Sequence, residues 1–208
     1  MLPQIKSFYT LEGENMEETQ MATTEPIRNP THVHALLSHF KKNGQQRNYV
    51  LATLGIYTAL RISDILNLRI SDVFDLKTRK VKNEISITEI KTSKRKKLAL
   101  HKKIKSALKL FLSNATVDAP LIINERTGKA ISRVQAHRII SYAAVEVQIP
   151  YKVSCHSLRK TFGYFAWKNG TFPVILMAIF NHSSFRITTR YLGIQQDDQN
   201  AVYTNLRI

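Results

Sequence analysis

Apolar positions recur along most of this chain at helical spacing, and only one short stretch switches to alternation. Asn29-Pro30 offers a helix cap and a first-turn proline. Val33, Leu36, Leu37 and Phe40 then fall on one stripe, and Lys41-Lys42-Asn43-Gly44 supply a stop. A second helix is expected from Gln46 to about Thr58, and a short one, capped by Ser63-Asp64, through Leu68. Ile85, Ile87 and Ile90 with polar residues between them read as a strand, Leu98 and Leu100 as its hairpin partner, and Thr92 to Lys96 as the turn. Helical spacing returns after His101, through Ile104, Leu108, Phe111 and Leu112, then Val134 to Val147, Ser157 to Trp167, Val174 to Phe180 and Phe185 to Leu192. The pattern predicts an α+β fold, mainly helical, with one small antiparallel sheet.

Composition narrows the setting. A chain of 208 residues suits one domain, burying roughly 70% of its unfolded surface. Cys155 is the only cysteine, which excludes a disulfide framework and a four-cysteine zinc site within one chain and suits a reducing cytoplasm. The longest apolar stretch, Val50 to Leu60, is interrupted by Thr53, Gly55 and Thr58 and is far short of the ~18 residues of a membrane span, so no membrane partner is expected. The formal net charge of +16 points to a polyanionic partner, because each cation that displaces a counterion from a phosphate adds affinity. That charge is uneven. Residues 1–28 carry five glutamates against Lys6 and Arg28, a net −3 that leaves +19 on residues 29–208. Residues 1–28 are therefore expected to be an acidic, mobile tail ahead of a single domain over 29–208.

Arg61, His156, Arg159, His182 and Tyr191 form a set that can hold and attack a phosphodiester if the fold gathers them. The pentacoordinate transition state accumulates negative charge, which arginine forks match with permanently charged, bidentate donors. A phenol of pKa ~10 needs a base or a cationic field to ionise, and a histidine can take its proton. The leaving oxygen needs an acid, for which the hairpin offers Lys91, Lys94, Lys96 and Lys97. Two arginines fill the Lewis-acid role, so neither metal nor cofactor is required. Taken singly, each residue has an ordinary structural explanation, and the joint spacing is what argues for chemistry. Cys155 beside His156 does not make a thiol catalyst, because adjacent residues diverge in direction, and His32, His34 and His39 share no metal-binding face.

The segment Tyr57-Thr58-Ala59-Leu60-Arg61-Ile62-Ser63-Asp64, the stretch Ile90-Lys91-Thr92-Ser93-Lys94, the box Cys155-His156-Ser157-Leu158-Arg159-Lys160 and the run Asn181-His182 through Thr189-Arg190-Tyr191 resemble, in this order, the motifs of the tyrosine recombinases, the phage-integrase family. The resemblance covers about residues 27–195. It implies Arg61 and Arg159 as phosphate-gripping arginines, Asp64 as a supporting acid and Lys91 as the catalytic lysine, with Lys94 in reserve. It further implies His156 and His182 as proton-transfer groups, Tyr191 as nucleophile, and Lys94, Arg95, Lys96, Lys97 and Lys160 as DNA contacts. The activity implied is site-specific strand cleavage and rejoining of double-stranded DNA through a 3′-phosphotyrosyl link without metal or ATP. The implied assembly is a homo-tetramer on DNA, with residues 192–208 as a C-terminal docking segment, in the cytoplasm at the nucleoid, with an accessory DNA-bending or clamp-supplying protein. The rivals are an inactive relative that occupies DNA as a regulator or co-recombinase, and a basic RNA-binding protein. Asn181 stands where the family usually has glycine, and asparagine tolerates the positive φ such a turn requires.

Overall fold

The computed structural model describes residues 24–194 and 196–206. The helix predicted second, α2 (Gln46–Tyr57), is apolar on every side and is accordingly the central one, buried from Val50 to Ile56. Around it pack α1 (Pro30–Lys42), α5 (Lys102–Phe111) and α7 (Cys155–Lys168). α1 starts as expected, with Asn29 Oδ1 accepting the Thr31 N–H at 2.8 Å and proline in the first turn. Gly55 of α2 lets α7 come close: a Cβ there would stand 2.8 Å from Leu158 Cδ1.

Two short helices, α3 (Ile62–Leu66) and α4 (Ile70–Val73), lead into paired strands β1 (Phe74–Asp75) and β2 (Lys80–Val81). The predicted hairpin follows as β3 (Glu84–Thr88) and β4 (Arg95–Ala99), antiparallel with Ile85 opposite Leu98 and Ile87 opposite Lys96. A third small pair, β5 (Ile123–Asn124) and β6 (Lys129–Ala130), precedes α6 (Arg133–Glu146). The sheet is thus three separate two-stranded ribbons among the described residues, where one was expected. Two boundaries also differ. Asp64 does not cap α3, whose N-cap is Arg61. β4 begins at Arg95, so Lys96 sits in a strand and the turn occupies residues 89–94.

The segment after α7 forms a separate small layer. α8 (Pro173–Phe180) and α9 (Phe185–Leu192) pack against α7 around a second core of Ala59, Leu176, Phe180 and Leu192, distinct from the main one. α7 contributes no side chain at Gly163, where a Cβ would lie 2.7 Å from Phe180 Cζ and 2.9 Å from Leu192 Cδ2.

Of the tail expected over residues 1–28, residues 1–23 lie outside the described residues. Residues 24–28 are placed against the domain, with Ile27 fully buried and its N–H donated to Thr161 Oγ1 at 2.8 Å. Arg28 donates to the Gly193 carbonyl and stands 3.7 Å from Asp198 of α10 (Gln196–Thr204). Asp198 also receives Lys168 of α7 at 2.6 Å, so ion pairs within the same chain hold part of the segment expected to serve as a docking arm.

Gly163→Ala should destabilise the protein. Overpacking of this kind costs about 1–3 kcal/mol against a helix-propensity gain of about 1 kcal/mol, and the change should appear as a lower denaturant midpoint at unchanged m-value. An unchanged or raised midpoint would show that α8 and α9 yield freely.

Candidate active site

The site is organised by the C-terminal end of α8. Asn181 adopts the left-handed conformation (φ 56°, ψ 48°), as its tolerance for positive φ allows. Its N–H returns to Ala178 O at 3.1 Å and that of His182 to Met177 O at 3.0 Å, a Schellman closure. The closure satisfies two of the helix's orphan carbonyls and leaves those of Ile179 and Phe180 open. Cations fill them. Arg159 Nη2 donates to Phe180 O at 3.0 Å, Arg61 Nη2 approaches the same oxygen at 3.5 Å, and Lys96 Nζ donates to Ile179 O at 2.7 Å. The three cations come from α7, from the start of α3 and from β4, and the negative end of the helix dipole favours all three.

Arg159 is almost fully buried and is fixed from three sides. Besides Phe180 it donates through Nη1 to the carbonyl of Ala59, itself left-handed at φ 57°, and through Nε to the Tyr191 hydroxyl at 3.1 Å. Tyr191, on the last turn of α9, is flanked edge-on by His156 and His182 with ring centroids 5.1 and 4.9 Å away, and Lys160 Nζ stands 5.6 Å from its ring. Burial pushes the phenol above its ordinary value, and the Arg159 and Arg61 charges oppose that shift without cancelling it. Both histidines are held at about 4: His156 by burial and then by Lys160, Arg159 and Arg61, although part of its surface still faces solvent, and His182 by burial and then by the two arginines. At neutral pH both rings are therefore proton acceptors. His182 Nδ1 lies 3.1 Å from Thr188 Oγ1, whose own proton can go to the Ser184 carbonyl at 3.4 Å. In that arrangement Nδ1 carries the ring proton and Nε2 is free to accept one.

The fold thus brings together Arg61, His156, Arg159, His182 and Tyr191. Lys91 is exposed on the hairpin turn, and its ammonium bonds no described residue. Lys96, one of the four hairpin lysines offered as an acid and otherwise expected as a DNA contact, reaches the end of α8, and burial lowers its pKa. Lys94 donates to Asn181 Oδ1 at 3.0 Å, Lys97 pairs with Glu84 at 2.7 Å, Arg95 is exposed, and Lys160 is buried. Asp64 is buried but reaches the Ile90 N–H at 2.9 Å, and the carboxylate beside Arg61 is that of Glu89, 3.0 Å from Nη1. Glu89 went unread in the sequence, though Ile85 and Ile87 face inward and the two-residue period puts 89 on the same side. Ile90, read as part of the strand, lies in the turn and is more than half exposed. Burial raises the Glu89 carboxyl, and Thr92 and Arg61 more than offset this, leaving it below the usual carboxylate range. The Cys155 thiol is pushed up to about 12 by burial, which keeps it protonated. Among the described residues no group of three or more His, Cys, Asp or Glu side chains converges as a metal site.

Comparison with known proteins agrees with this geometry. The Bacillus subtilis (strain 168) protein "Probable integrase/recombinase YoeC" is 36% identical over 183 residues, covering 88% of this chain and 97% of that protein. The Escherichia coli (strain K12) "Type 1 fimbriae regulatory protein FimB" is 30% identical over 149 residues, covering 70% of this chain and 72% of its own length. In three dimensions the chain is similar to the XerA recombinase (TM-score 0.73, 23% identity, 88% of this chain and 67% of that one). It is also similar to the XerH site-specific recombinase bound to its difH substrate before cleavage (TM-score 0.64, 17% identity, 86% and 54%). The profile of the phage integrase family matches residues 29–197, and the chain belongs to that family as a tyrosine recombinase catalytic domain.

Proposed function

We propose that this chain cuts and rejoins duplex DNA through a covalent tyrosyl link. The observation that carries the reading is the 3.1 Å bond from the Arg159 guanidinium to the Tyr191 hydroxyl, beside a second guanidinium converging on the same carbonyl. A scissile phosphate seated against Arg61 and Arg159 exchanges carbonyl partners for its own oxygens. Tyr191 Oη forms a bond to phosphorus, its proton passing to a neutral imidazole of His182 or His156, and the bond to the 5′-oxygen breaks. That oxygen takes a proton from Lys91 and departs as a hydroxyl, while the 3′-phosphate stays on the tyrosine. Attack by the 5′-hydroxyl of another strand reverses the steps, conserving the bond without ATP. Lys94, Arg95, Lys96, Lys97 and Lys160 serve as phosphate contacts along the duplex. Strand exchange needs two duplex sites and so a tetramer of this chain, together with an accessory DNA-bending or clamping protein. The fold shared with an integrase and a recombinase crystallised on DNA supports the reading.

The test is a nicked duplex that traps the covalent state. Wild-type protein should give a protein–DNA band resistant to SDS, and Tyr191→Phe should give none. Arg61→Ala or Arg159→Ala should slow adduct formation on the order of 10²–10³-fold, the usual cost of one transition-state donor. A wild type that shifts DNA but never forms the band would instead be a DNA-occupying regulator.

The histidines give a second check. Their folded pKa values of about 4 lie below the unfolded value of ~6.5, so the unfolded chain binds the extra protons in that window. Their contribution to stability is fully present above pH ~6.5 and is lost as pH falls toward 4. Proton NMR of the DNA-free protein should show two imidazoles still neutral at pH 5.5, and His156→Asn with His182→Asn should flatten the fall in stability. Titration of both rings near 6.5 would contradict the described packing.

A further inference from the structure

The turn that carries Lys91 is tied down on both sides of that residue, and both ties run to the segment that carries Arg61. On one side the Ile90 N–H is donated to Asp64 Oδ1 at 2.9 Å. On the other, the Thr92 hydroxyl is donated to Glu89 Oε2 at 2.8 Å, while Glu89 Oε1 stands 3.0 Å from Arg61 Nη1. The Glu89 backbone closes the same turn, its N–H reaching Lys94 O at 3.0 Å and its carbonyl accepting the Ser93 N–H at 2.8 Å. The Glu89 carboxylate is 2% exposed, an expensive place for a charge that serves only the fold of an exposed hairpin tip. Lys91 is thus a free side chain on a moored backbone. Its four-carbon stem can sweep a small volume, and the mooring decides whether that volume includes the phosphate gripped by Arg61.

We propose that Glu89 is a positioning residue for the leaving-group step: its carboxylate is a strut between Arg61 and Thr92 that holds the Lys91 ammonium within reach of the departing 5′-oxygen. The proposal rests on the reading of Lys91 as acid and Tyr191 as nucleophile, and adds a residue that neither the motif order nor the charge pattern singles out. Asp64 is the second mooring, acting through the Ile90 N–H. No bond changes at Glu89 itself. It remains a carboxylate throughout, and its effect reaches the reaction only through the lysine.

The experiment compares single-turnover adduct formation on two nicked duplexes, one with the ordinary 5′-oxygen at the scissile bond and one with sulfur in its place. A thiolate leaves without protonation, so loss of the acid should matter only with oxygen. With oxygen, Lys91→Ala, Glu89→Gln and Thr92→Val should all be slower, Lys91→Ala by part of the 10²–10⁴-fold that general acid catalysis supplies and the other two on the order of tenfold. With sulfur, all three should approach the wild-type rate, and the Lys91→Ala/Glu89→Gln double variant on oxygen should be no slower than Lys91→Ala alone. If Glu89→Gln and Thr92→Val stay slow on sulfur, or add to Lys91→Ala, Glu89 acts on Arg61 or on folding and the strut is overturned. Wild-type adduct formation with Lys91→Ala rescued would leave the strand-transfer reading standing in that case. No adduct from wild type on either duplex would overturn both.

Discussion

The free carbonyls at the end of α8 are the constraint on which the site depends. A helix leaves its last carbonyls without internal partners, and here the left-handed turn at Asn181 and His182 satisfies only those of Met177 and Ala178. Ile179 and Phe180 are left to bind cations, and Lys96, Arg159 and Arg61 arrive from three elements far apart in sequence. Cations so close repel one another. A helix end with partial negative charge offsets part of that repulsion, by about 0.3–2 kcal/mol for each cation depending on burial. The same turn sets where the chain goes next, so that His182 follows at once and Tyr191 returns one helix later over the Arg159 guanidinium.

A second bend holds the arginine from the opposite side. α2 ends at Tyr57 and α3 begins at Ile62, and the link is made by Ala59 at φ 57°, a conformation that costs a residue with a Cβ roughly 1–2 kcal/mol. Ala59 has no side-chain hydrogen bond to compensate. The strain persists because the Thr58 hydroxyl accepts the Leu60 N–H at 3.2 Å, because Ala59 and Leu60 are buried, and because the resulting carbonyl direction meets Arg159 Nη1. Both non-glycine residues with carbonyls or turns aimed at Arg159, Ala59 and Asn181, are left-handed, which places backbone strain at the guanidinium that touches the phenol.

The helices were legible because their signals are local. Asn29-Pro30 caps α1, the apolar run Val50 to Ile56 makes α2 central, and Phe185 to Leu192 delimits α9 to the residue. The convergence of Arg61, His156, Arg159, His182 and Tyr191 was legible from motif spacing, which records the fold indirectly. What escaped depends on contacts the sequence does not display. The ribbons β1–β2 and β5–β6 have two residues per strand, too few for a period to show. Glu89 was hidden because Ile90 looked the better continuation of Ile85 and Ile87, whereas the turn's hydrogen bonds end β3 at Thr88 and expose Ile90. Among the hairpin lysines the spacing alone could not decide, since which one points inward follows from register: Lys96 pairs with inward-facing Ile87 and so reaches α8, while Lys91 lies on the turn.

The charge balance explains why the phenol needs a partner base. Glu89 is the carboxylate beside Arg61, and Arg159 is met by carbonyl dipoles and the phenol, so the free site holds more positive charge than its acids neutralise. Even so, burial keeps Tyr191 protonated. A bound phosphate would add negative charge beside the phenol and weaken the guanidinium field there, making ionisation by field alone harder still. Burial is the main cause that holds His156 and His182 at about 4, and the same anion would relieve the cationic push that adds to it, raising their basicity once the substrate is seated. Under the proposed chemistry, the arrival of the phosphate thus removes one route to the phenolate and opens the other, which is why two neutral imidazoles, and not arginines alone, flank the nucleophile.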